Sequence, residues 1–254
     1  MQTSSAFTTF AGSLSVVINS YQDIAAWRSV IARLSDFEEA IHHHKVGKEL
    51  ILEHQTDNQL HLKNAHIKLP NGGPTLFNNI ELQVKAGESL LLMGPSGRGK
   101  STLLRTLAGI WPHASGNLLL PEGRKMILIP QKSYLPLGSL ASANIYPDPL
   151  EKHSKAELKS VLLLAGMDSM IDKLDQVDHW AQKLSLGEQQ ILAFIRILLL
   201  KPEWVFLDEV TSALDLKTEA MLYQLIMEQI PGITIISVGH RLSLKELHQR
   251  HIDF

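Results

Sequence analysis

A glycine-rich stretch, Gly94-Pro95-Ser96-Gly97-Arg98-Gly99-Lys100-Ser101-Thr102, has residue types and a spacing that indicate phosphate chemistry. It matches the pattern G-x-x-x-x-G-K-[ST]. Glycine has no Cβ, so it lets the backbone bend until several N–H groups point at one anion. Lys100 would bridge the β- and γ-phosphates, and the Ser101 hydroxyl would be a ligand of Mg²⁺. The stretch therefore predicts a site for a nucleoside triphosphate with its metal.

The residues on each side of this stretch supply the elements that must position it. Ser89–Met93 is a short apolar run, typical of a strand buried on both faces of a parallel sheet. Residues 102–108 have the pattern of a helix, whose first N–H groups and dipole favour an anion. The alternative interpretation, without a binding function, is a glycine turn with an exposed lysine. It does not account for the strand and the helix on each side of the stretch.

A second apolar strand, beginning at Val205, ends in the carboxylates Asp208 and Glu209. Ligands of doubly wound sheets bind where the strands end. Asp208 suits a Mg²⁺ partner of Ser101, and Glu209 suits the group that polarises an attacking water. A strand that ends in Asp-Glu is by itself an ordinary entry into a loop, so this prediction depends on the glycine-rich stretch.

The segment Leu184–Gln190 precedes a strongly apolar run and contains Ser185, Gly187 and Glu188. Ser185 and Glu188 have the spacing of a capping box, which would simply start a helix well. The same helix start could also bind an anion. One nucleotide does not need two phosphate sites from one domain, so the second site predicts two copies face to face under C₂ symmetry.

Composition limits the class of protein. A chain of 254 residues has room for one large α/β domain with an appendage, or for two small domains. The net charge of −2 provides no basic field for nucleic acid, so no nucleic-acid partner is expected. The sequence has no cysteine, which excludes disulfides and thiol chemistry, and we expect no signal peptide.

Residues 1–46 stand apart from the rest, which begins at about residue 47. Apolar residues recur there at helical spacing and predict an amphipathic helix. The helix could dock on the domain, or it could be the cytoplasmic end of a last membrane-spanning helix. His42, His43 and His44 invite a metal hypothesis, but adjacent side chains cannot converge, so a solvated linker is favoured.

The remaining pattern alternates strands and helices. Residues 49–69 predict short antiparallel strands, and residues 133–200 predict a helical insertion between strands of the main sheet. Residues 218–229 are a plausible crossover helix. Further strands are predicted at residues 80–84, 126–130, 204–207 and 233–238.

Taken together, the ordered motifs resemble the nucleotide-binding domain of an ABC transporter, over about residues 48 to 250. They are Gly94–Thr102, Gln131, Leu184–Gln189, Val205–Glu209, Ser212–Asp215 and His240. The resemblance implies an α/β P-loop NTPase with a mixed, mostly parallel sheet, an antiparallel β subdomain and a helical subdomain. It implies ATP and Mg²⁺ as ligands and ATP hydrolysis as the activity. It also implies that Gln131 senses Mg²⁺, that Asp215 lies at a dimer seam and that His240 contacts the γ-phosphate.

Finer details are similar to the subfamily of peroxisomal acyl-CoA transporters and bacterial peptide- and vitamin-uptake half-transporters. These details are the sequence LSLGEQQ, the preceding Asp178-His179-Trp180 and the later Ser237–Ser243. Residues 5–37 resemble the end of that subfamily's membrane domain. This resemblance favours the alternative in which the N-terminal helix is the cytoplasmic end of a last membrane-spanning helix. The implied chain is the carboxy-terminal part of a half-transporter, or a gene lacking its front, at the cytoplasmic face of the inner membrane. Its expected partners are a transmembrane domain and a second copy.

Two residues depart from the family pattern and keep other functions open. Leu69 replaces the usual aromatic that stacks on adenine, and Ile191 replaces a common arginine. One alternative is a soluble ABC-type ATPase that works on ribosomes or DNA, although no basic patch or coiled-coil insertion is visible. The other is a nucleotide-dependent interaction module without useful turnover.

Overall fold

A computed structural model describes residues 20–21, 23–39, 50–70 and 72–254. The chain divides into two units, residues 1–48 and residues 49–254. In the first unit, residues 20–21 and 23–39 are helical and form α1, as the apolar spacing predicts. No helix in the described ranges is both long and apolar enough to cross a membrane. The three adjacent histidines 42–44 lie outside the described residues, and the assignment of residues 1–46 to a membrane domain stays a prediction.

The second unit contains a five-stranded sheet in which every neighbouring pair is parallel. Its order is β11-β4-β10-β9-β6. Because the strands are parallel, their carboxyl ends meet at one edge, where the predicted site residues follow the strands. The strands are β4 (Ser89–Met93), β6 (Met126–Ile129), β9 (Trp204–Asp208), β10 (Thr234–Val238) and β11 (Arg250–Asp253).

A second sheet has four strands in the order β1-β5-β2-β3. These are β1 (Leu50–Gln55), β2 (Gln59–Lys68), β3 (Thr75–Lys85) and β5 (Ala114–Pro121). Strand β2 is antiparallel to β3 and β5, but β1 pairs with β5 in parallel. Strands β1 and β2 therefore run in opposite directions, as predicted for residues 49–69. They do not pair with each other, because β5, which comes later in the chain, lies between them.

Helix α2 (Lys100–Leu107) packs its apolar face between the two sheets. Leu103, Leu104 and Leu107 are fully buried in one core with residues of β2 and β4. Burying each such side chain contributes about 1.5–3 kcal/mol relative to leaving it exposed. This packing fixes the first turn of α2 at the carboxyl edge of the parallel sheet.

The segment 133–200 is mainly helical and also contains two strands of two residues each, at residues 138–139 and 177–178. It contains β7 (Gly138–Ser139), α3 (Leu140–Ile145), α4 (Lys155–Leu164), β8 (Val177–Asp178), α5 (Trp180–Lys183) and α6 (Leu186–Leu200). Short 3-10 helices lie at Leu150–Lys152, Asp168–Lys173 and Leu242–Leu247. Helix α7 (Leu216–Gln229) connects β9 to β10 and begins two residues before the predicted crossover helix. The predicted fold class, an α/β P-loop NTPase with these subdomains, is confirmed.

Candidate nucleotide site

The glycine-rich loop lies between β4 and α2, as its sequence predicts. Gly94, Gly97 and Gly99 all have positive φ angles, of 131°, 80° and 84°. Gly99 is the N-cap of α2 and no side chain caps this helix. The first amides of α2 are therefore available to an anion, and the dipole of the helix adds to the attraction.

Steric contacts explain why two of these positions must be glycine. A Cβ on Gly94 would lie 2.5 Å from the carbonyl oxygen of Phe254. A Cβ on Gly99 would lie 3.0 Å from a side-chain carbon of Leu76 and 3.1 Å from one of Phe77. The loop is thus held against β3 and the residue after β11, and a side chain would force it away.

The side chain of Lys100 turns back toward the start of the loop and makes hydrogen bonds with its backbone. Its Nζ donates to the carbonyl oxygens of Gly94 at 2.9 Å and of Pro95 at 2.8 Å. Burial lowers the pKa of Lys100, while the charges of Glu209 and Asp208 act in the opposite direction. A buried ammonium held by two neutral carbonyls is poised to exchange them for phosphate oxygens, which are stronger partners.

Asp208, at the end of β9, accepts a hydrogen bond from the Ser101 hydroxyl at 2.6 Å. Its carboxylate is almost fully buried, and burial raises the pKa of Asp208. Arg105, one turn after Ser101 on α2, places Nη2 at 3.5 Å from the other carboxylate oxygen. A hydroxyl beside a buried carboxylate is the donor set that Mg²⁺ prefers, so these residues fit that ion.

Glu209 follows β9, and its side chain contacts residues that follow two other strands, β10 and β6. Its Oε1 lies 2.8 Å from Nε2 of His240, and its Oε2 accepts from Nε2 of Gln131 at 3.1 Å. Its backbone adopts φ = 51°, unusual for a residue with a side chain. The amide of Glu209 donates to Val238 at 3.1 Å, which ties the strained turn to β10. Strain of this kind concentrates at functional sites.

Part of this set lines one open cleft of about 350 Å³, whereas Asp208, Gln131 and His240 are not in its lining. Its lining consists of Leu69, Leu76, Ser96, Gly97, the 99–102 turn and Glu209. Leu69, predicted at the position of the base, does line the cleft, and with Leu76 it makes an aliphatic wall. Pro95 and Arg98 sit exposed at the rim of the loop.

Ser185 and Glu188 form a complete capping box at the start of α6. The Glu188 carboxylate accepts from the Ser185 amide at 2.8 Å and from its hydroxyl at 2.7 Å. Ser185 and the following Leu186 are exposed, and Gly187 is half-buried. None of them lines the cleft just described, so within one chain this segment is separate from the glycine-rich loop.

Asp215 also lies outside that cleft. It is the N-cap of α7 and accepts from the amides of Lys217 and Thr218, both at 3.0 Å. These hydrogen bonds lower the pKa of Asp215, chiefly those from Thr218. A role at a dimer seam stays a prediction for this exposed residue.

Two polar residues that shape the site, Arg105 and Gln190, were not predicted from the sequence. The spacing of Arg105 is a signal for it, because residues four apart share one face of a helix and Ser101 is a predicted Mg²⁺ ligand. Gln190 is buried in α6 and holds the 209–215 loop through Ser212 Oγ at 3.0 Å and the amide of Ala213 at 2.9 Å. A glutamine at the start of a strongly apolar run was its signal. Ile191, the other departure from the pattern, packs against the core.

A phosphate-binding loop between strand and helix, with carboxylates at the neighbouring strand end, defines a P-loop nucleotide-binding protein. The family model described as ABC transporter matches residues 77–212, and the chain belongs to this family. The family and the subfamily predicted from the sequence are confirmed by its relatives.

Three relatives illustrate the similarity. An uncharacterized ABC transporter ATP-binding protein of Haemophilus influenzae is 42% identical over 202 residues, covering 80% of this chain and 33% of that protein. The ABC transporter D family member 2, chloroplastic, of Arabidopsis thaliana is 32% identical over 98% of this chain and 45% of its own length. The human ATP-binding cassette sub-family D member 3 is 33% identical, with 77% of this chain and 30% of that protein aligned. The chain thus spans less than half the length of these relatives.

Proposed function

We propose that this chain is the ATP-binding and ATP-hydrolysing part of an ABC half-transporter. The observation that carries the proposal is the meeting of Ser101 with Asp208 and of Glu209 with both Gln131 and His240, at one edge of the parallel sheet. The names of its relatives, which describe ATP-binding proteins and ATP-binding cassettes, support ATP as the nucleotide.

In this proposal the loop 94–102 and Lys100 hold the triphosphate. Ser101, Asp208 and Gln131 would hold Mg²⁺, which would supply positive charge to offset the negative charge of the phosphate oxygens. Glu209 orients a water molecule and takes up its proton, and His240 holds the Glu209 carboxylate and contacts the γ-phosphate. The carboxylate is suited to this because its two oxygens already have fixed partners, which sets its direction.

The proposed reaction is an in-line displacement. The water oxygen forms a bond to the γ-phosphorus while the bond from that phosphorus to the β–γ bridging oxygen breaks. The leaving electron pair stays on the β-phosphate of ADP, and inorganic phosphate is the second product. Lys100 and the amides at the start of α2 stabilise the charge that develops on the phosphoryl oxygens.

We further propose that two copies close over two molecules of MgATP. Ser185, Gly187 and Glu188 lie at an exposed helix start that does not serve the chain's own cleft, which fits a role toward the cleft of a second copy. Asp215 would lie at the same seam. ATP then acts as a ligand of the closed state, since it contacts both copies only there.

The membrane partner is the remaining part of the proposal. The relatives are longer than this chain, and a D-family transporter from Arabidopsis aligns with nearly all of it. We propose that residues 1–46 connect to a transmembrane domain and that the ATPase lies at the cytoplasmic face of the membrane. Closure of the dimer would pull on the attached helices and drive translocation.

Phosphate release by the full chain tests the hydrolytic role. We expect MgATP turnover that stops without Mg²⁺, and we expect Glu209→Gln to lower kcat by about 10²–10⁴-fold while MgATP still binds. Glu228→Gln, an exposed glutamate on α7, is the matched control and should behave as wild type. Binding without any turnover by the wild type would favour the nucleotide-dependent interaction module instead.

A further inference from the structure

One buried carboxylate has no part in the chemistry described so far. Glu219 lies on α7 and is fully buried. Its Oε1 accepts from the Ser243 hydroxyl at 2.7 Å, but its Oε2 has no hydrogen-bond partner. The closest cation is Arg241, whose Nη1 lies 3.5 Å from that oxygen. A charge is buried at a cost unless it is paired, so this arrangement calls for a reason.

Arg241 makes two further contacts with the loop that follows Glu209. Its Nη1 donates to the carbonyl of Leu214 at 2.6 Å and its Nη2 donates to the carbonyl of Ser212 at 2.9 Å. The guanidinium is a rigid planar fork, so fixing one of its nitrogens fixes the direction of the others. The carboxylate of Glu219 therefore orients the group that holds the 212–214 backbone.

Arg241 is also the residue directly after His240. The His240 ring lies 2.8 Å from the Glu209 carboxylate, and Glu209 begins the loop that Arg241 holds. A cavity of about 110 Å³ lies between these segments and is lined by Glu209, Ser212, His240 and Arg241 among others. The cavity leaves part of this region without packing contacts, so the hydrogen bonds of Arg241 and His240 contribute to setting the distance between the loop and His240.

We propose that Glu219 and Arg241 form a positioning pair for ATP hydrolysis. The buried carboxylate fixes the guanidinium, and the guanidinium fixes both the loop that carries Glu209 and the backbone next to His240. Neither member touches the nucleotide. The inference rests on the proposed hydrolytic function, because it assigns the pair a role in aligning Glu209 and His240 for that reaction.

The structure also limits how large the effect should be. Gln190 holds the same loop from α6, through Ser212 Oγ at 3.0 Å and the Ala213 amide at 2.9 Å. Loss of the pair should therefore displace the loop without releasing it. A displacement of about 1 Å at a catalytic group can cost about 100-fold in rate, so we expect a loss of kcat of about 10- to 100-fold.

The first test is Glu219→Gln in the full chain. The amide keeps the shape of the side chain and an oxygen that can accept from Ser243, but it removes the charge that faces Arg241. We expect the fall in kcat given above, with KM and the Kd of MgATP changed by less than about twofold. The matched control is Glu88→Gln, which removes an ion pair to Arg250 of 2.8 Å at the amino end of β4.

A double variant tests whether the two residues act as one unit. Arg241→Gln alone would leave Glu219 buried and unpaired, so that single variant can fail to fold. The double variant E219Q/R241Q removes both charges together. If the pair acts as a unit, its kcat should lie within about threefold of that of Glu219→Gln. A further fall of tenfold or more, on the order of 1.4 kcal/mol, would show that Arg241 acts without Glu219 and would overturn the pairing.

A second measurement does not require turnover. The ring resonance of His240, assigned by comparison with His240→Gln, should move in Glu219→Gln and stay in place in Glu88→Gln. If kcat per folded chain of Glu219→Gln equals that of the control while its Tm falls, Glu219 is only structural and the inference is overturned. If the wild type has no turnover, the proposed function fails and the resonance alone decides: an unmoved His240 signal overturns the positioning pair.

Discussion

Replacing Lys100 by methionine isolates the contribution of one charge to phosphate binding. Methionine has nearly the length of lysine and tolerates the apolar neighbours of a buried position. Lys100 is 4% exposed, and its Nζ donates to the carbonyl oxygens of Gly94 and Pro95. The substitution therefore removes the ammonium while it leaves the volume of the site almost unchanged.

The expected size of the effect follows from the kind of bond that is lost. A hydrogen bond to a charged group contributes about 1.5–3 kcal/mol, so losing one at the phosphates should raise the Kd of MgATP about 10- to 150-fold. The folded state should change less. Burial lowers the pKa of Lys100, which shows that the charged form is held at a cost. Removing the charge offsets the loss of the two carbonyl partners.

Titration with a fluorescent ATP analogue measures this effect directly, with Tm recorded on the same samples. Lys159→Met, which removes an exposed lysine of α4, is the matched control and should bind as wild type does. A Kd for Lys100→Met within about twofold of the control would refute the assignment of Lys100 to the phosphates.

Three further predictions concern the base, the loop and the pH. Leu69→Tyr should tighten ATP binding about 2- to 13-fold in equilibrium titrations, because a stacked ring contributes about 0.5–1.5 kcal/mol beyond burial; unchanged affinity would exclude Leu69 from the base. Gly94→Ala should lower Tm and weaken ATP binding, since its Cβ would lie 2.5 Å from the Phe254 carbonyl oxygen; a wild-type Tm would contradict this. Burial lowers the pKa of His248 below its usual value of 6.5. As the pH falls through this range, the unfolded chain therefore binds more protons than the folded chain. The free energy of unfolding, measured with denaturant, should therefore fall below about pH 6.5, by up to about 1.4 kcal/mol per pH unit, and His248→Gln should flatten that slope.

Local patterns predicted the part of the fold around the glycine-rich loop. Residues 89–93 form the buried strand and residues 100–107 the helix, because the apolar run, the glycines and the helix residues all favour the same local structure. The strand that ends at Asp208 was predictable for the same reason. Its meeting with Ser101 could be expected because the carboxyl ends of parallel strands share one edge.

Long-range pairing was not predictable in the same way. The parallel pairing of β1 with β5 depends on a strand that comes about 60 residues later, and nothing in Leu50–Gln55 specifies it. The contacts of Arg241 with Ser212 and Leu214 bring together two loops that the sequence separates. Such contacts depend on tertiary packing, which a single sequence shows only through motifs already known.

Subunit complementation tests most directly whether the triphosphate is held by one copy and completed by another. Lys100→Met weakens the phosphate site of a chain, and Ser185→Asp keeps a good N-cap while it directs a negative charge at the partner's nucleotide. At an ATP concentration near the Kd of the wild type, each variant alone should have little activity. In an equal mixture, half of the dimers combine both variants and carry one intact site of two, so we expect about a quarter of wild-type phosphate release. A mixture that forms mixed dimers and stays inactive would contradict the account.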